Sequence, residues 1–261
     1  MKKNHIIEEN IENPKNGISV TDFFHPQSTP EETQTIDRPT DGVYRRFLHV
    51  VFDNVISRSE LSAFRGAIIN KAGKENTLFH NHTNNGYLYK YPLIQYKLYR
   101  NIYPSILCIE KGVDEIYHLF KHKHWDINLK GKNIDLKVKQ LILSDAYFKQ
   151  CSTFKKYNIS NWLALNKENY QKYNSFALKD KIALLENILK ANILAMAKGI
   201  NWHISDKIEL IINNINRQKV ARYKGVKLLA FNLSFQTNVI LPQYLSLGKG
   251  ASMGFGVITE N

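Results

Sequence analysis

Val43-Tyr44-Arg45-Arg46-Phe47-Leu48-His49-Val50-Val51-Phe52 is rich in β-branched and aromatic residues and reads as a strand. Ser57-Arg58-Ser59-Glu60 follows with the spacing of a capping box, and Leu61, Phe64 and Ile68 then fall on one helical face before Gly73 supplies a stop. Strand then helix opens a β-α-β-β-α-β unit, and the chain supplies the remaining parts. Tyr87 to Tyr99 and Ser105 to Ile109 are extended with Pro104 between them. Val113, Ile116, Tyr117 and Phe120 mark one short amphipathic helix, and Ile134 to Leu143 is extended again.

The second half starts over with a strand around Asn158 to Leu165. The clearest helix in the chain follows, with Ile182, Leu185, Leu189, Ile193 and Met196 on one face before Gly199. Lys207 to Ile215 and Val226 to Ile240 are strand-like, and no second helix is visible in this half. The reading is α+β, with two related domains in tandem over 43–143 and 144–261. Residues 1–42 hold four of the seven prolines and lack a core pattern, so a weakly ordered acidic extension is expected there.

Charge divides the chain in the same place. The net formal charge is +13, yet residues 1–42 carry four basic and eight acidic side chains (−4), which leaves +17 on 43–261. A folded body that basic concentrates anions, and nucleic acid is the common long anion of a cytoplasm. No apolar stretch of transmembrane length interrupts the sequence, and Asn4, Glu8 and Glu9 break any signal core after Met1-Lys2-Lys3. Two cysteines, Cys108 and Cys151, do not make a disulfide framework or a cysteine zinc site. A reducing cytoplasm is the expected compartment, with no membrane partner.

Four of the 13 glycines lie in Gly248-Lys249-Gly250-Ala251-Ser252-Met253-Gly254-Phe255-Gly256. Such density admits positive φ and lets a phosphate or another chain segment approach backbone N–H groups closely; a tight hairpin near a chain end is the plain alternative. The segment lacks the lysine and hydroxyl pair of a P-loop, and it lies too near Asn261 for a dinucleotide-binding βαβ unit.

With Leu241-Pro242 and Leu247 before it, this run resembles the C-terminal signature of the CRISPR-associated repeat-cleaving endoribonucleases, the family called Cas six, closest to its b-type branch. Leu247-Gly248 and Gly254-Phe255-Gly256 fit the family's pattern, with Lys249 as its basic residue, whereas Ser246 stands where the first glycine belongs and is expected to disturb the opening turn. Arg217-Gln218-Lys219, Tyr223-Lys224-Gly225-Val226-Lys227-Leu228, Phe64-Arg65-Gly66-Ala67-Ile68 and Tyr91-Pro92-Leu93-Ile94-Gln95-Tyr96 are also similar to that branch. The resemblance spans Tyr44 to Ile258. It implies two ferredoxin-like domains side by side, no cofactor, and one metal-independent cut per CRISPR repeat. The partners implied are that RNA as precursor and as mature crRNA, with effector-complex subunits and a second copy of the chain as further candidates.

Cutting RNA without metal requires a proton taken from a 2′-OH, a proton given to the departing 5′-oxygen, and stabilisation of negative charge on phosphorus. Histidine suits both proton steps near neutrality. Phe79-His80-Asn81-His82 follows the first helix by a short loop, and Lys90 or a tyrosine hydroxyl from Tyr87-Leu88-Tyr89-Lys90-Tyr91 is placed to stabilise charge or align the 2′-OH. On a strand, His80 and His82 share one face as metal ligands do, but no nearby carboxylate or cysteine completes a set. On the residues alone, histidines without a task remain open. The resemblance implies catalytic roles for His80, His82 and Tyr89, with Tyr87 and Tyr91 competing for the role of Tyr89.

His49 reads as a core-edge residue, His122 and His124 as part of a basic surface loop, and His203 as lacking a visible partner. For RNA binding the candidates are Arg217, Lys219, Arg222, Lys224 and Lys227, with Gly248, Lys249, Gly250, Ser252, Gly254 and Gly256 of the loop that follows. A second basic run, Lys121, Lys123, Lys130, Lys132, Lys137 and Lys139, reads equally as a solvated surface. The function expected is cleavage of CRISPR repeat RNA to a 2′,3′-cyclic phosphate and a 5′-hydroxyl. Two alternatives remain: an RNA-binding protein of the same fold without cleavage, and a mononucleotide-binding enzyme using the glycine-rich loop.

Overall fold

The computed structural model describes residues 42–80, 82–83, 86–87 and 90–260, so the acidic extension before Gly42 lies outside the described residues. Strand β1 (Gly42–Phe52) is buried from Phe47 onward because it is covered on both faces. A 3-10 turn at Arg58–Glu60 leads into α1 (Leu61–Ala72), and the Glu60 carboxylate accepts from the Ser57 N–H (2.8 Å) and Oγ (2.7 Å), as the capping-box spacing anticipates. Gly73, at φ +101°, donates its N–H to the Ile69 carbonyl and ends the helix.

Two-residue strands β2 (His82–Thr83) and β3 (Gly86–Tyr87) pair with each other, and β4 (Ile94–Tyr99) and β5 (Tyr103–Ile109) form a hairpin. Pro104 lies inside β5, opposite Leu98, rather than between strands. The β1–β5 pairing starts at Ser105, so the missing proline N–H removes no bond on that edge. The single helix expected next is two short ones, α2 (Lys111–Glu115) and α3 (Tyr117–Phe120), joined at Ile116. The hairpin β6 (Asp126–Leu129) and β7 (Lys132–Asp135) occupies part of the second lysine run.

Strand β8 (Val138–Trp162) is 25 residues long. The strands expected at 134–143 and 158–165 each fall largely on one of its ends, and the expected division between 143 and 144 lies within it. After β8 come α4 (Lys167–Ser175), α5 (Leu178–Gly199), β9 (Leu210–Tyr223), β10 (Val226–Ile240) and β11 (Val257–Glu260). One seven-stranded antiparallel sheet runs β4-β5-β1-β8-β10-β9, with β11 paired to β8 at 157–160. The first part of β8 pairs with β1 and the later part with β10 and β11. Counted within each half, the strand order is 4-1-3-2, the ferredoxin-like order, and β8 serves as fourth strand of the first unit and first strand of the second. Chain segment 241–256, with only a 3-10 turn at Ala251–Met253, replaces the second helix of the later unit.

Each unit has its own core. Phe64 and Ile68 of α1 pack with Leu48, Val50, Phe52, Tyr96 and Ile106. Leu185, Leu189, Ile193 and Met196 of α5 pack with Tyr157, Phe231, Leu233 and Phe235, so the helical spacing is realised as a buried stripe. Leu241, Leu245 and Leu247 join this second core together with Leu107 and Ile109 of the first unit, which fastens the two halves.

His49 is buried on β1 with its ring 5.2 Å from that of Tyr244, and its Nε2 has no hydrogen-bond partner. Burial, with the nearby Lys97 charge, pushes its pKa down from 6.5 to about 3. As pH falls the unfolded chain takes up this proton first, so the contribution of neutral His49 to stability is complete above 6.5 and is lost toward 3. The expected slope is about 1.4 kcal/mol per pH unit in that window. Urea titrations between pH 7 and pH 3 are expected to show it as the difference between wild type and His49→Phe, and parallel curves for the two would count against it.

Candidate nucleic-acid interface and cleavage site

The glycine-rich loop is tied by backbone hydrogen bonds. Leu247 N–H donates to the Gly256 carbonyl (2.8 Å), Gly256 N–H to Asn161 (3.3 Å), Met253 N–H to Gly250 (2.8 Å), and Phe255 N–H to Gly250 (3.3 Å). These N–H groups are therefore already engaged, and the cradle for a phosphate is narrower than glycine spacing alone predicts. Gly256 sits at φ +65°, and a Cβ there would overlap the Leu247 carbonyl oxygen. Ser246 does not disturb the opening turn. Its φ is not positive, it bridges to Val257, and it is buried.

The loop is held between the start of α1 and the end of β9. Gly254 lies against Leu61 and the Tyr96 carbonyl. Arg58 donates Nη2 to the Gly254 carbonyl (2.6 Å) and stands 5.6 Å from the centre of the Phe255 ring. Phe255 in turn meets Tyr223 edge to face at 5.6 Å. Arg58 remains solvent-accessible, but its packing partly strips its guanidinium of water and lowers its pKa.

Arg65 lies on α1 itself, seven residues after Arg58 of the preceding 3-10 turn. It donates Nη2 to the His80 carbonyl (2.9 Å) and lies 5.8 Å from the Tyr96 ring centre, with its Nε buried and unpartnered. Burial lowers its pKa, while the nearby Tyr96 and Tyr223 oppose that shift. The His80 loop is anchored further by Phe79, which is buried and accepts from Tyr96 Oη (3.2 Å). The His80 ring pairs Nε2 with the Lys74 carbonyl at 2.8 Å. A carbonyl only accepts, so the neutral ring carries its proton on Nε2 and Nδ1 is the basic nitrogen.

His82 begins β2, and Tyr87 is its cross-strand partner. Tyr89 lies outside the described residues. Tyr91 donates its hydroxyl to the Ser246 carbonyl (2.8 Å), which gives it a structural task between the halves. Lys90 is exposed.

Strand alternation sorts the basic stretch. Arg217, Lys219 and Tyr223 share one face of β9, toward the loop and α1, and burial together with the charges of Arg58 and Arg217 lowers the pKa of Lys219. Arg222 and Lys227 are register partners on the other face, and Lys224 occupies the β9–β10 turn at φ +49°. Lys249 is exposed where the loop bridges Leu163. In the second basic run Lys139 pairs with Asp53 (2.7 Å), while Lys130 and Lys132 flank the exposed tip of the β6–β7 hairpin. Arg58 and Arg65 are the site residues that sequence reading missed. Arg58 precedes α1 and Arg65 lies on it, so no helical periodicity in the sequence joined the two. Among the described residues no three His, Cys, Asp or Glu side chains assemble as metal ligands, and no helix is long and apolar enough to cross a membrane.

Two ferredoxin-like units sharing a strand, with a cationic face against a glycine-rich C-terminal loop, define a RAMP-type protein. The model of the Cas6b N-terminal domain matches residues 46–146 and that of the Cas6b C-terminal domain matches residues 149–261. The chain belongs to the Cas6b family. Over 100 residues it is 37% identical to a Methanocaldococcus jannaschii protein described as uncharacterized protein MJ0978, covering 38% of this chain and 67% of that one. Among solved structures, a crystal structure of Cas6b superposes with TM-score 0.75 at 24% identity, over 84% of this chain and 100% of that one. A CRISPR RNA processing endoribonuclease Cas6b follows with TM-score 0.64 at 23% identity over the same shares. A RAMP protein binding different RNA substrates gives TM-score 0.50 at 11% identity, again over 84% and 100%.

Proposed function

We propose that this protein binds the repeat RNA of CRISPR transcripts and cuts it without metal, releasing guide RNAs that end in a 2′,3′-cyclic phosphate. The observation that carries this reading is the convergence of the His80 loop, Arg58, Arg65, Arg217, Lys219 and the glycine-rich loop around one corner of the molecule. A relative of the same fold is described as a CRISPR RNA processing endoribonuclease.

In the reaction, one histidine takes the proton of the 2′-OH as that oxygen attacks the adjacent phosphorus. The other gives a proton to the leaving 5′-oxygen, and the P–O5′ bond breaks. His80 Nδ1 serves as the base and His82 as the acid. Lys90 and Tyr89 offer charge stabilisation and alignment of the 2′-OH. The mature RNA is the product, and effector-complex subunits and a second copy of the chain are the further partners proposed. A 2′-deoxy substitution at the nucleotide before the cut tests the chemistry, since the nucleophile is then missing. Binding is expected to persist and cleavage to vanish, whereas cleavage of the deoxy substrate would overturn transphosphorylation.

Arg217 and Lys219 are assigned phosphate contacts. Replacing both with alanine is expected to reduce the log–log salt slope of RNA binding by about 1.4, at about 0.7 per contact on a single strand. Arg222→Ala with Lys227→Ala is expected to change it less. Filter binding across a salt series measures both, and equal effects would mean that the two faces of the hairpin grip RNA alike.

A further inference from the structure

Lys97 lies on β4, in the first unit, yet it is 2% exposed and its polar contacts lead into the second. Its Nζ donates to Gln95 Oε1 (3.0 Å), to Ser246 Oγ (3.1 Å) and to the Tyr244 carbonyl. Gln95 is itself fully buried. Its Oε1 accepts from the Ser246 N–H (3.1 Å), and its Nε2 donates to Tyr91 Oη (2.9 Å), which donates in turn to the Ser246 carbonyl (2.8 Å). Ser246 is thus held through its N–H, carbonyl and hydroxyl by three residues of the first unit. At the other end of the loop, Gly254 packs against the Lys97 backbone. Lys97 therefore meets the glycine-rich loop both where it begins and where it closes.

None of the hydrogen-bond partners of Lys97 is a carboxylate, and its charge acts on the buried His49 nearby. Burial without a counter-charge pushes its pKa down to about 7. An ammonium held this way is a poor source of stability, since the desolvation it suffers opposes what its hydrogen bonds return. Three donors matched to three fixed acceptors do, however, define one position for the chain they clamp.

We propose that Lys97 is a positioning residue for RNA binding: it clamps the entry of the glycine-rich loop to the first unit, so that Phe255 is presented beside Arg58. The same clamp accounts for Ser246 at a position where the family pattern has glycine, because the hydroxyl is one of the acceptors. The RNA part of this inference rests on the proposed function; the clamp does not.

The test is Lys97→Met in the full chain, followed by hydrogen exchange, RNA affinity and single-turnover cleavage at saturating protein. Amide exchange at Leu247, Met253, Gly256 and Ile258 is expected to accelerate, while amides of α1 and β5 keep their wild-type rates. The Kd for repeat RNA is expected to rise about tenfold, with the saturated cleavage rate within about twofold of wild type. A generally destabilised protein would not divide its losses in that way, and Ile116→Val, in the core of the first unit, is the control expected to leave Kd unchanged. Wild-type Kd in folded Lys97→Met, or a slower saturated rate at unchanged Kd, would overturn the proposal. Should Lys97→Met not fold, Ser246→Ala removes one acceptor and is expected to raise Kd about threefold, and an unchanged Kd there would overturn it equally. If wild type fails to bind repeat RNA, the proposed function falls, and the exchange rates alone decide the clamp.

Discussion

Replacing His80 and His82 together with alanine is expected to abolish cleavage of repeat RNA and to leave its affinity within about threefold of wild type. Each single replacement is expected to slow the chemical step by about 10² to 10⁴, the range for losing one proton carrier. Affinity survives because the phosphate contacts are assigned to Arg217 and Lys219. The alanine variants lose the bond of the His80 ring to Lys74 but keep the Arg65 side-chain bond to the His80 carbonyl, which does not depend on the imidazole. Arg65→Ala is the complementary case, in which both imidazoles remain but the loop loses its anchor. Its saturated rate is expected to fall with little change in Kd. Single-turnover rates measured at saturating protein separate these outcomes from weakened binding, and full activity of the double histidine variant would remove this site from consideration.

Gly256→Val is expected to eliminate measurable RNA binding. A Cβ at this residue overlaps the Leu247 carbonyl oxygen, which belongs to the backbone and cannot rotate away, and the φ of +65° is one that a β-branched residue scarcely adopts. Relief requires breaking the Leu247–Gly256 hydrogen bond, which sets the loop against β11. Gly254→Val, at φ +71°, is expected to be milder. Its Cβ first meets Leu61 Cδ2 at 3.0 Å, the end of a side chain with room to shift, and then the Tyr96 carbonyl oxygen at 3.2 Å. Gly225→Ala supplies the control, because it has φ +82° with nothing within 4 Å of an added Cβ, so it carries backbone strain alone, about 1 kcal/mol. Affinities falling in the order Gly225→Ala, Gly254→Val, Gly256→Val would support the steric argument. Equal affinities for Gly256→Val and Gly225→Ala would contradict it.

The opening strand and helix were legible because each carries a strong local signal, an apolar run ended by a capping box in one case and a helical stripe ended by Gly73 in the other. Strand β8 was not. Between Ser144 and Lys156 its side chains include Asp145, Lys149, Gln150, Ser152, Thr153, Lys155 and Lys156, so the apolar alternation that marks a strand fades where backbone pairing to β1 and β10 continues. Helix α4 buries only Tyr173 and offered no periodic pattern to read. In the candidate site, the histidines and the glycine-rich loop stood out through resemblance and spacing. Arg58 and Arg65 did not, since their significance depends on the fold bringing Gly254 to the turn before α1 and the His80 carbonyl to the helix itself. The run Arg217 to Lys227 reads as one cluster in sequence and as two faces in a strand, a difference that period-two alternation explains once β9 is known to reach Tyr223.

Cleavage by side chains alone is tested by incubating CRISPR repeat RNA with the wild-type protein in excess EDTA, resolving both fragments on a denaturing gel and identifying their new ends. One cut per repeat at the rate seen with magnesium, leaving a 2′,3′-cyclic phosphate and a 5′-hydroxyl, is the expected result. Cleavage that stops in EDTA and returns with a divalent cation, or a product ending in 3′-hydroxyl, would contradict it.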